Sequence, residues 1–168
     1  PAQLQKKLGD KYEVKNFGVS ARTMMNKGDL PYMNELAWRD AQAFNPDIVI
    51  VKLGTNDSKT HNWAHGVDEY RQSMQAMIDT LKALPSKPKI YLCSPIPAFK
   101  DSWTISDSII VNGEMPIIKK LAKKNKCQFI DLHTSYTYGD LMLKDGIHPN
   151  AKGAEKMANI IFEAIEKK

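Results

Sequence analysis

The residues with the clearest chemical potential in this chain form the segment Asp145-Gly146-Ile147-His148-Pro149. A carboxylate three positions before an imidazole can accept a hydrogen bond from one ring nitrogen and leave the other nitrogen facing outward. This arrangement supplies the orienting acid and the general base of a nucleophilic hydrolase. Pro149 favours an extended backbone at His148, so the ring can project from a turn. The alternative is a polar turn before the last helix, with Asn150 as the helix N-cap.

A second polar loop offers a group that could stabilise an oxyanion. The tetrapeptide Gly54-Thr55-Asn56-Asp57 directly follows the apolar run 48–53. Gly54 permits a tight turn, and the side-chain NH2 of Asn56 is a suitable donor for the negative charge of a tetrahedral intermediate. Asp57 could fix the loop by accepting backbone N–H bonds. The alternative is an ordinary Asx turn.

Short apolar runs and helical patterns alternate along the chain and must position these loops. The pattern predicts an α/β fold, in which a parallel sheet is covered by helices on both faces. In such a sheet the ligand site lies beyond the carboxyl ends of the strands, where both polar loops fall. The predicted strands are 12–19, 48–53, 89–94 and 129–132, and the predicted helices are 1–9, 33–44, 67–81, 107–125 (kinked or split at Pro116) and 154–165.

The composition indicates one globular domain over residues 1–168, with 42% hydrophobic and 26% charged residues. The formal net charge of +5 comes from scattered lysines without interleaved aromatic residues, a pattern that does not favour nucleic-acid binding. No apolar run reaches the length of a membrane span. We therefore expect neither a nucleic acid nor a membrane as partner. Cys93 and Cys127 lie in apolar runs and are expected to be buried free thiols.

The two polar loops, taken with Asn16-Phe17-Gly18-Val19-Ser20-Ala21-Arg22, resemble the third, fifth and second sequence blocks of the SGNH, or GDSL, hydrolase family. The resemblance runs over the whole chain, with the blocks in the family's order. It implies a serine esterase with a flavodoxin-like, three-layer αβα fold and no metal or cofactor. It also implies that His148 is the general base and Asp145 its orienting acid. Asn56 and the backbone N–H of Ala21 would be the oxyanion donors.

Two positions depart from the family pattern. Ala21 stands where the family usually has glycine, and its backbone N–H survives as a donor if its dihedral angles suit a Cβ. The first block, a Gly-Asp-Ser turn that carries the nucleophile, does not occur in the sequence. Ser20 lies in half of a nucleophile elbow, without its second glycine, so we expect a turn hydroxyl beside the oxyanion hole. The nucleophilic serine is expected upstream of Pro1.

The expected upstream segment has a structural consequence. In flavodoxin-like strand order, the first strand lies between the second and third strands. The strands predicted at 12–19 and 48–53 should then flank a gap, because the domain is N-terminally incomplete. An upstream segment, a second chain or a swapped neighbour should fill this gap. The sequence carries no signal that decides the compartment, and a secreted or periplasmic location is slightly favoured over the cytoplasm.

Aromatic side chains accompany the polar loops. Trp63, Trp103, Tyr136 and Tyr138 follow the predicted strands and could stack on sugar rings, or could instead plug the loops. Ser20 and Trp63 are the candidate substrate contacts. The stretches 16–32, 54–63 and 94–99 resemble family members that remove acetyl groups from carbohydrates.

The expected function is hydrolysis of short acetyl esters on a small molecule or oligosaccharide. The alternatives are a lysophospholipase or thioesterase of the same family, and a non-catalytic carbohydrate-binding remnant.

Overall fold

A parallel sheet of three strands lies at the centre of the computed structural model, which describes residues 1–166. The strands are β1 (Ile48–Val51), β2 (Lys89–Cys93) and β3 (Gln128–Ile130), in the order β1-β2-β3. Val49 lies opposite Ile90, and Leu92 lies opposite Phe129. Parallel neighbours require long crossover connections, and helices supply them here.

Eight α-helices surround the sheet in the described residues. A π-helical turn, Ile110–Glu114, joins two of them, and 3-10 turns occur at Gly9–Lys11, Tyr32–Asn34 and Gly139–Leu141. No helix within residues 1–166 is both long and apolar enough to cross a membrane. The helices are α1 (Ala2–Leu8), α2 (Leu36–Ala43), α3 (Thr60–Trp63), α4 (Gly66–Lys82), α5 (Asp107–Ile109), α6 (Met115–Asn125), α7 (Leu132–Ser135) and α8 (Ala151–Glu166).

The side chains of β2 alternate between two hydrophobic cores, one on each face of the sheet. Ile90 and Leu92 pack with residues of α4 and α6, whereas Tyr91 and Cys93 pack with residues of α1 and α8. The period of two in a strand produces this division. The predicted α/β class with three layers is therefore confirmed. Cys93 is a buried free thiol as predicted, and Cys127 is free but only half-buried.

Strand β1 forms one edge of the sheet. It pairs with β2, and no other strand of residues 1–166 pairs with it. Its side chains reach both cores, yet Ile48, Val49 and Ile50 are only half-buried, whereas Ile90 to Cys93 of β2 are fully buried. Helices normally cover both faces of a parallel strand, and an unpaired strand edge is a place where a further strand can pair.

The strand predicted at 12–19 does not form. The side chain of Gln5 occupies backbone groups that a sheet would use: its Nε2 donates to the Tyr12 carbonyl (2.8 Å), and its Oε1 accepts from the Val14 N–H (2.7 Å). The Tyr32 hydroxyl donates to the Phe17 carbonyl (2.9 Å). The segment is mostly exposed and pairs with no strand of the described chain, β1 included.

Three of the other differences between predicted and observed element boundaries have a local cause. The helix predicted at 33–44 begins only at Leu36, because Glu35 is extended. The helix predicted at 107–125 is interrupted by the π-turn just before Pro116, whose missing N–H weakens the helical ladder there. The strand predicted at 129–132 ends early because Asp131 caps α7, its carboxylate accepting from the Thr134 N–H (3.0 Å).

Close packing of α8 against the loop that precedes it yields a stability prediction. A Cβ on Gly153 would meet the Tyr136 hydroxyl and would lie 2.6 Å from the Leu141 carbonyl oxygen. Gly153→Ala should therefore lower the free energy of unfolding by about 1–3 kcal/mol, although alanine has the higher helix propensity. Urea unfolding checks this, with the exposed Glu155→Ala in the same helix as control. A more stable Gly153→Ala variant would contradict the packing.

Candidate active site

The Asp145 and His148 side chains meet in the turn before α8. His148 Nδ1 lies 3.2 Å from Asp145 Oδ2. When Nδ1 carries the proton it donates to this carboxylate, and Nε2 of the neutral ring is then a free acceptor. Nε2 has no hydrogen-bond partner within residues 1–166, and 59% of the His148 side chain is exposed. The arrangement is that of a base with its orienting acid.

Asp145 also builds the turn that carries this pair. Its Oδ1 accepts from the N–H groups of Ile147 (2.7 Å) and His148 (2.8 Å). These two backbone bonds hold the pKa of Asp145 below its usual value. Gly146 between them has a φ of 69°, a left-handed conformation that glycine accepts readily. Asn150 caps α8 by accepting from the Gly153 N–H (3.0 Å). The polar turn before α8 therefore also carries the Asp145–His148 pair, and we call residues 145–148 the acid–base turn.

The second polar loop is held by a buried carboxylate. Asp57 is fully buried, and its two oxygens accept from the N–H groups of Met24 (2.9 Å) and Met25 (2.7 Å). The sequence predicted that Asp57 would accept backbone bonds. The donors lie outside its own loop, just after the second block and 33 and 32 residues away from Asp57. Burial raises the pKa of Asp57 to about 7, against the lowering effect of the two N–H bonds.

This bridge places the two predicted oxyanion donors in neighbouring segments. One side-chain N–H of Asn56 donates to the Arg22 carbonyl (3.2 Å), which leaves its second N–H free. Ala21, the residue before Arg22, exposes a backbone N–H that makes no hydrogen bond within the described chain. Ala21 has a φ of 64°, so the turn uses the left-handed conformation that glycine would occupy without strain.

Asn62 was not among the predicted site residues, yet its side chain holds the loop 54–57, which we call the Asn56 loop. Its buried Nδ2 donates to the Asn56 carbonyl (2.8 Å) and to Asp29 Oδ1 (3.0 Å), and its Oδ1 accepts from the Asp29 N–H (2.9 Å). Every polar atom of the amide is therefore used. No local pattern in the sequence marks this residue, because its partners are 6 and 33 positions away.

Gly54 lies against another buried acid. Its φ is 134°, and a Cβ there would meet Glu114 Oε2 and lie 3.0 Å from the Tyr70 hydroxyl. Glu114 is fully buried in the π-turn, and neither of its oxygens has a hydrogen-bond partner among residues 1–166. Burial raises the pKa of Glu114 well above its usual value, and the nearby charge of Asp57 raises it further. The Asn56 loop therefore begins where only glycine fits.

The segment 98–107, which we call the β2 loop, connects the turn that carries Asp145 and His148 with the loop that carries Asn56. Ser102 Oγ donates to the Asp145 carbonyl (2.7 Å), and the Phe99 N–H donates to the Gly146 carbonyl (3.0 Å). At its other end the Ser106 N–H donates to Ser58 Oγ (3.2 Å), next to Asp57. The loop therefore touches the acid–base turn with one part and the Asn56 loop with another.

The base of the β2 loop is closed by a second histidine–carboxylate pair. Asp107 Oδ1 accepts from the Ala98 N–H (2.8 Å) and lies 3.0 Å from His133 Nε2. His133 follows β3 and is largely buried. Ser102, Asp107 and His133 gain these positions only through folding, and no spacing between them in the sequence indicates the contacts.

The β2 loop contains two strained residues in succession. Trp103 and Thr104 have φ values of 55° and 60°. Left-handed backbone at a residue other than glycine costs on the order of 1–3 kcal/mol, and it is rare for a β-branched residue such as threonine. Such strain persists only where surrounding contacts determine the backbone, and it is concentrated at functional sites.

The two predicted substrate contacts have different environments. Ser20 is exposed beside Ala21, and its carbonyl accepts from Arg22 Nη1 (2.9 Å). Trp63 is half-buried, packs on Tyr70 with ring centroids 5.7 Å apart and covers Gly113 of the π-turn. The indole of Trp63 is thus used in packing, the alternative that the sequence left open. Substrate-binding roles for both residues stay predictions.

Known proteins resemble this chain along its whole length. The sequence model of the GDSL-like lipase/acylhydrolase family matches residues 1–156. An acetylxylan esterase of Xylanibacter ruminicola is 54% identical over 184 aligned residues, which cover 99% of this chain and 38% of that protein. The chain thus spans less than two fifths of the length of this curated relative.

Solved structures share the fold. A GDSL-like lipase from Bacteroides thetaiotaomicron superposes with a TM-score of 0.72 and 26% identity, covering 99% of this chain and 80% of that one. The acetyl xylan esterase AlAXEase superposes with a TM-score of 0.76 over 98% of this chain and 89% of that one. At 24% identity the second likeness concerns the fold alone.

The left-handed backbone at Ala21 predicts that the substitution of alanine by glycine changes the free energy of unfolding in opposite directions at two positions. Ala21→Gly should raise the free energy of unfolding by about 1 kcal/mol, because it removes the Cβ strain at φ 64°. Ala76→Gly on the exposed side of α4 should lower it by about 1 kcal/mol. Urea unfolding of the two variants provides the measurement. If Ala21→Gly destabilises the protein as Ala76→Gly does, the left-handed turn is wrong.

Burial of Asp57 leads to a pH prediction. Because its pKa in the folded protein, about 7, exceeds the usual 3.8, the folded state binds the proton more tightly than the unfolded state. The contribution of Asp57 to stability should therefore fall by roughly 1.4 kcal/mol per pH unit as the pH rises from about 4 to about 7, and level off above that.

Urea unfolding of the wild type and Asp57→Asn between pH 5 and pH 8 measures this effect. The free energy of unfolding of the wild type should fall relative to that of Asp57→Asn as the pH rises through that interval. Asp47→Asn, an exposed carboxylate, is the control. A difference from wild type that is the same at every pH would contradict the buried titration.

Proposed function

Because this chain belongs to the GDSL-like lipase/acylhydrolase family, we propose that it forms the greater part of the active site of a serine esterase acting on acetylated carbohydrates. The observation that carries this proposal is the Asp145–His148 pair, with Nδ1 on the carboxylate and Nε2 free and exposed. The acetyl and carbohydrate parts are supported by the acetylxylan esterase that is 54% identical to this chain.

In the proposed reaction each polar group has a distinct role. His148 Nε2 takes the proton of a serine hydroxyl as its oxygen bonds to the acetyl carbonyl carbon. The negative charge on the carbonyl oxygen is stabilised by the free N–H of Asn56 and the backbone N–H of Ala21. His148 then gives the proton to the leaving sugar alcohol. Water, deprotonated by the same nitrogen, attacks the acetyl carbon of the acetyl-serine. The bond between that carbon and the serine oxygen breaks, His148 returns the proton to the serine, and acetate is released.

We place the nucleophilic serine outside residues 1–168. Within the described chain no serine hydroxyl is bonded to His148 Nε2, and Ser102, which lies beside the pair, donates to the Asp145 carbonyl. The open edge of β1, with its two half-covered apolar faces, suits an added parallel strand that carries this serine. That strand can belong to the same polypeptide or to a neighbouring molecule.

The proposal predicts how ester hydrolysis responds to substitution. In the complete protein, His148→Ala should lower kcat by at least about 10³-fold and Asp145→Asn by about 10²- to 10⁴-fold. His65→Ala, at an exposed histidine in another loop, should leave kcat unchanged. Acetate release from acetylated xylan is the measurement. A protein that binds xylan but keeps the same low rate in all variants would be a non-catalytic binder.

Two further measurements test the preferred acyl group and the position of the nucleophilic serine. Among p-nitrophenyl esters the acetate should react fastest, and a preference for octanoate would instead indicate a lysophospholipase or thioesterase. Mass spectrometry after fluorophosphonate labelling should find the modified serine outside residues 1–168. Modification of Ser20 or Ser102 would overturn our placement of the nucleophile.

A further inference from the structure

We propose that Trp103 forms the platform on which the sugar ring of the substrate stacks, a role that rests on the proposed function and specifies its binding site. Trp103 is 58% exposed, although indole is among the side chains that gain most from burial. The other two tryptophans are used in packing: Trp38 belongs to the core, and Trp63 covers the π-turn.

Trp103 lies beside the proposed base. Its ring centroid lies 5.7 Å from that of His148, and the two ring planes meet at 69°. Because the rings are not parallel, the imidazole is not stacked flat on the indole, and it can contact one indole face at most. A ligand on the other face would therefore lie within reach of the His148 turn.

The β2 loop holds the indole there through contacts on both sides of it. Immediately before it, Ser102 Oγ donates to the Asp145 carbonyl, and the Lys100 ammonium donates to the Lys144 carbonyl (2.9 Å). After it, Ser106 is bonded to Ser58 in the Asn56 loop. These bonds keep Trp103 in a left-handed backbone conformation that is otherwise disfavoured. The backbone that carries the exposed indole is thus fixed on both sides of Trp103.

The surroundings favour a sugar over an acyl chain as the occupant. A pyranose ring presents apolar C–H groups to an aromatic face and hydroxyl groups at its rim. The residues next to Trp103 in the chain, Asp101, Ser102 and Thr104, are polar and can meet those hydroxyls. Phe99, the other exposed aromatic residue of the β2 loop, is directed elsewhere, because its ring covers Gly139 and approaches Tyr136.

Kinetics on two substrates test the platform in the complete protein. Trp103→Ala should raise KM for an acetylated xylo-oligosaccharide about tenfold, with kcat little changed. KM and kcat for p-nitrophenyl acetate, which has no sugar ring, should stay within about twofold of wild type. Trp103→Phe, which retains a smaller aromatic face, should lie between wild type and Trp103→Ala. Tyr12→Ala, at an exposed aromatic residue outside the site, should change neither substrate's constants.

A different pattern would overturn the proposal. If Trp103 only positions His148, Trp103→Ala will lower kcat by the same factor on both substrates and leave KM unchanged. If the platform binds acyl chains, the variant will lose activity on p-nitrophenyl octanoate and not on the oligosaccharide. Equal constants for wild type and Trp103→Ala on the oligosaccharide would exclude any role in binding.

Binding without turnover separates this proposal from the proposed function. Titration with an unesterified xylo-oligosaccharide should change the tryptophan fluorescence of the wild type and of Trp38→Phe, but not that of Trp103→Phe. This result can be obtained even if the protein hydrolyses no acetyl ester. Failure of hydrolysis with retained Trp103-dependent fluorescence would reject the esterase and keep the platform, whereas a fluorescence change in Trp103→Phe as large as that of the wild type would reject the platform alone.

Discussion

The buried carboxylate of Asp57 joins two segments 32 and 33 residues apart, and the geometry of the candidate site depends on that bridge. Each carboxylate oxygen accepts one backbone N–H, so the turn before Met24 is held at a defined distance from the loop that contains Asn56. Removing a charged group from water is unfavourable, and the raised pKa of Asp57 reflects it. The two N–H bonds offset part of this cost. Strongly perturbed pKa values are concentrated at functional sites.

The acid–base turn depends on a different set of contacts. Asp145 organises its own turn through backbone bonds and orients His148 with its second oxygen. The β2 loop then joins this turn to the Asn56 loop through Ser102 and Ser106. Three loops from the carboxyl ends of β1, β2 and the region after β3 are thus tied together at one rim. The proposed base and the proposed oxyanion donors therefore rest on a shared framework of bonds between side chains and backbone groups.

The long helices, the central strands and the positions of the two polar loops could be predicted from the sequence. Apolar side chains at helical or alternating spacing are local signals, and they located α4, α8, β1 and β2 to within a few residues. The strand predicted at 12–19 failed because strand formation requires a partner, and Gln5 satisfies that backbone instead. Trp63 and Trp103 looked equivalent in sequence, since each follows an apolar strand. Only the fold separated them, by packing one against Gly113 and leaving the other exposed beside His148.

The sequence by itself determined the Asp145–His148 pair, because three residues of spacing in a glycine- and proline-bounded turn are enough to bring the two side chains together. It also determined which loops carry polar groups, since the apolar strands before them are local features. The tertiary structure alone decided the partners of Asp57, the support that Asn62 gives to Asn56, the left-handed backbone at Ala21 and the exposure of Trp103. Each of these depends on segments that are distant in the chain, and burial and hydrogen bonding between such segments exist only after the sheet and its two helix layers have assembled.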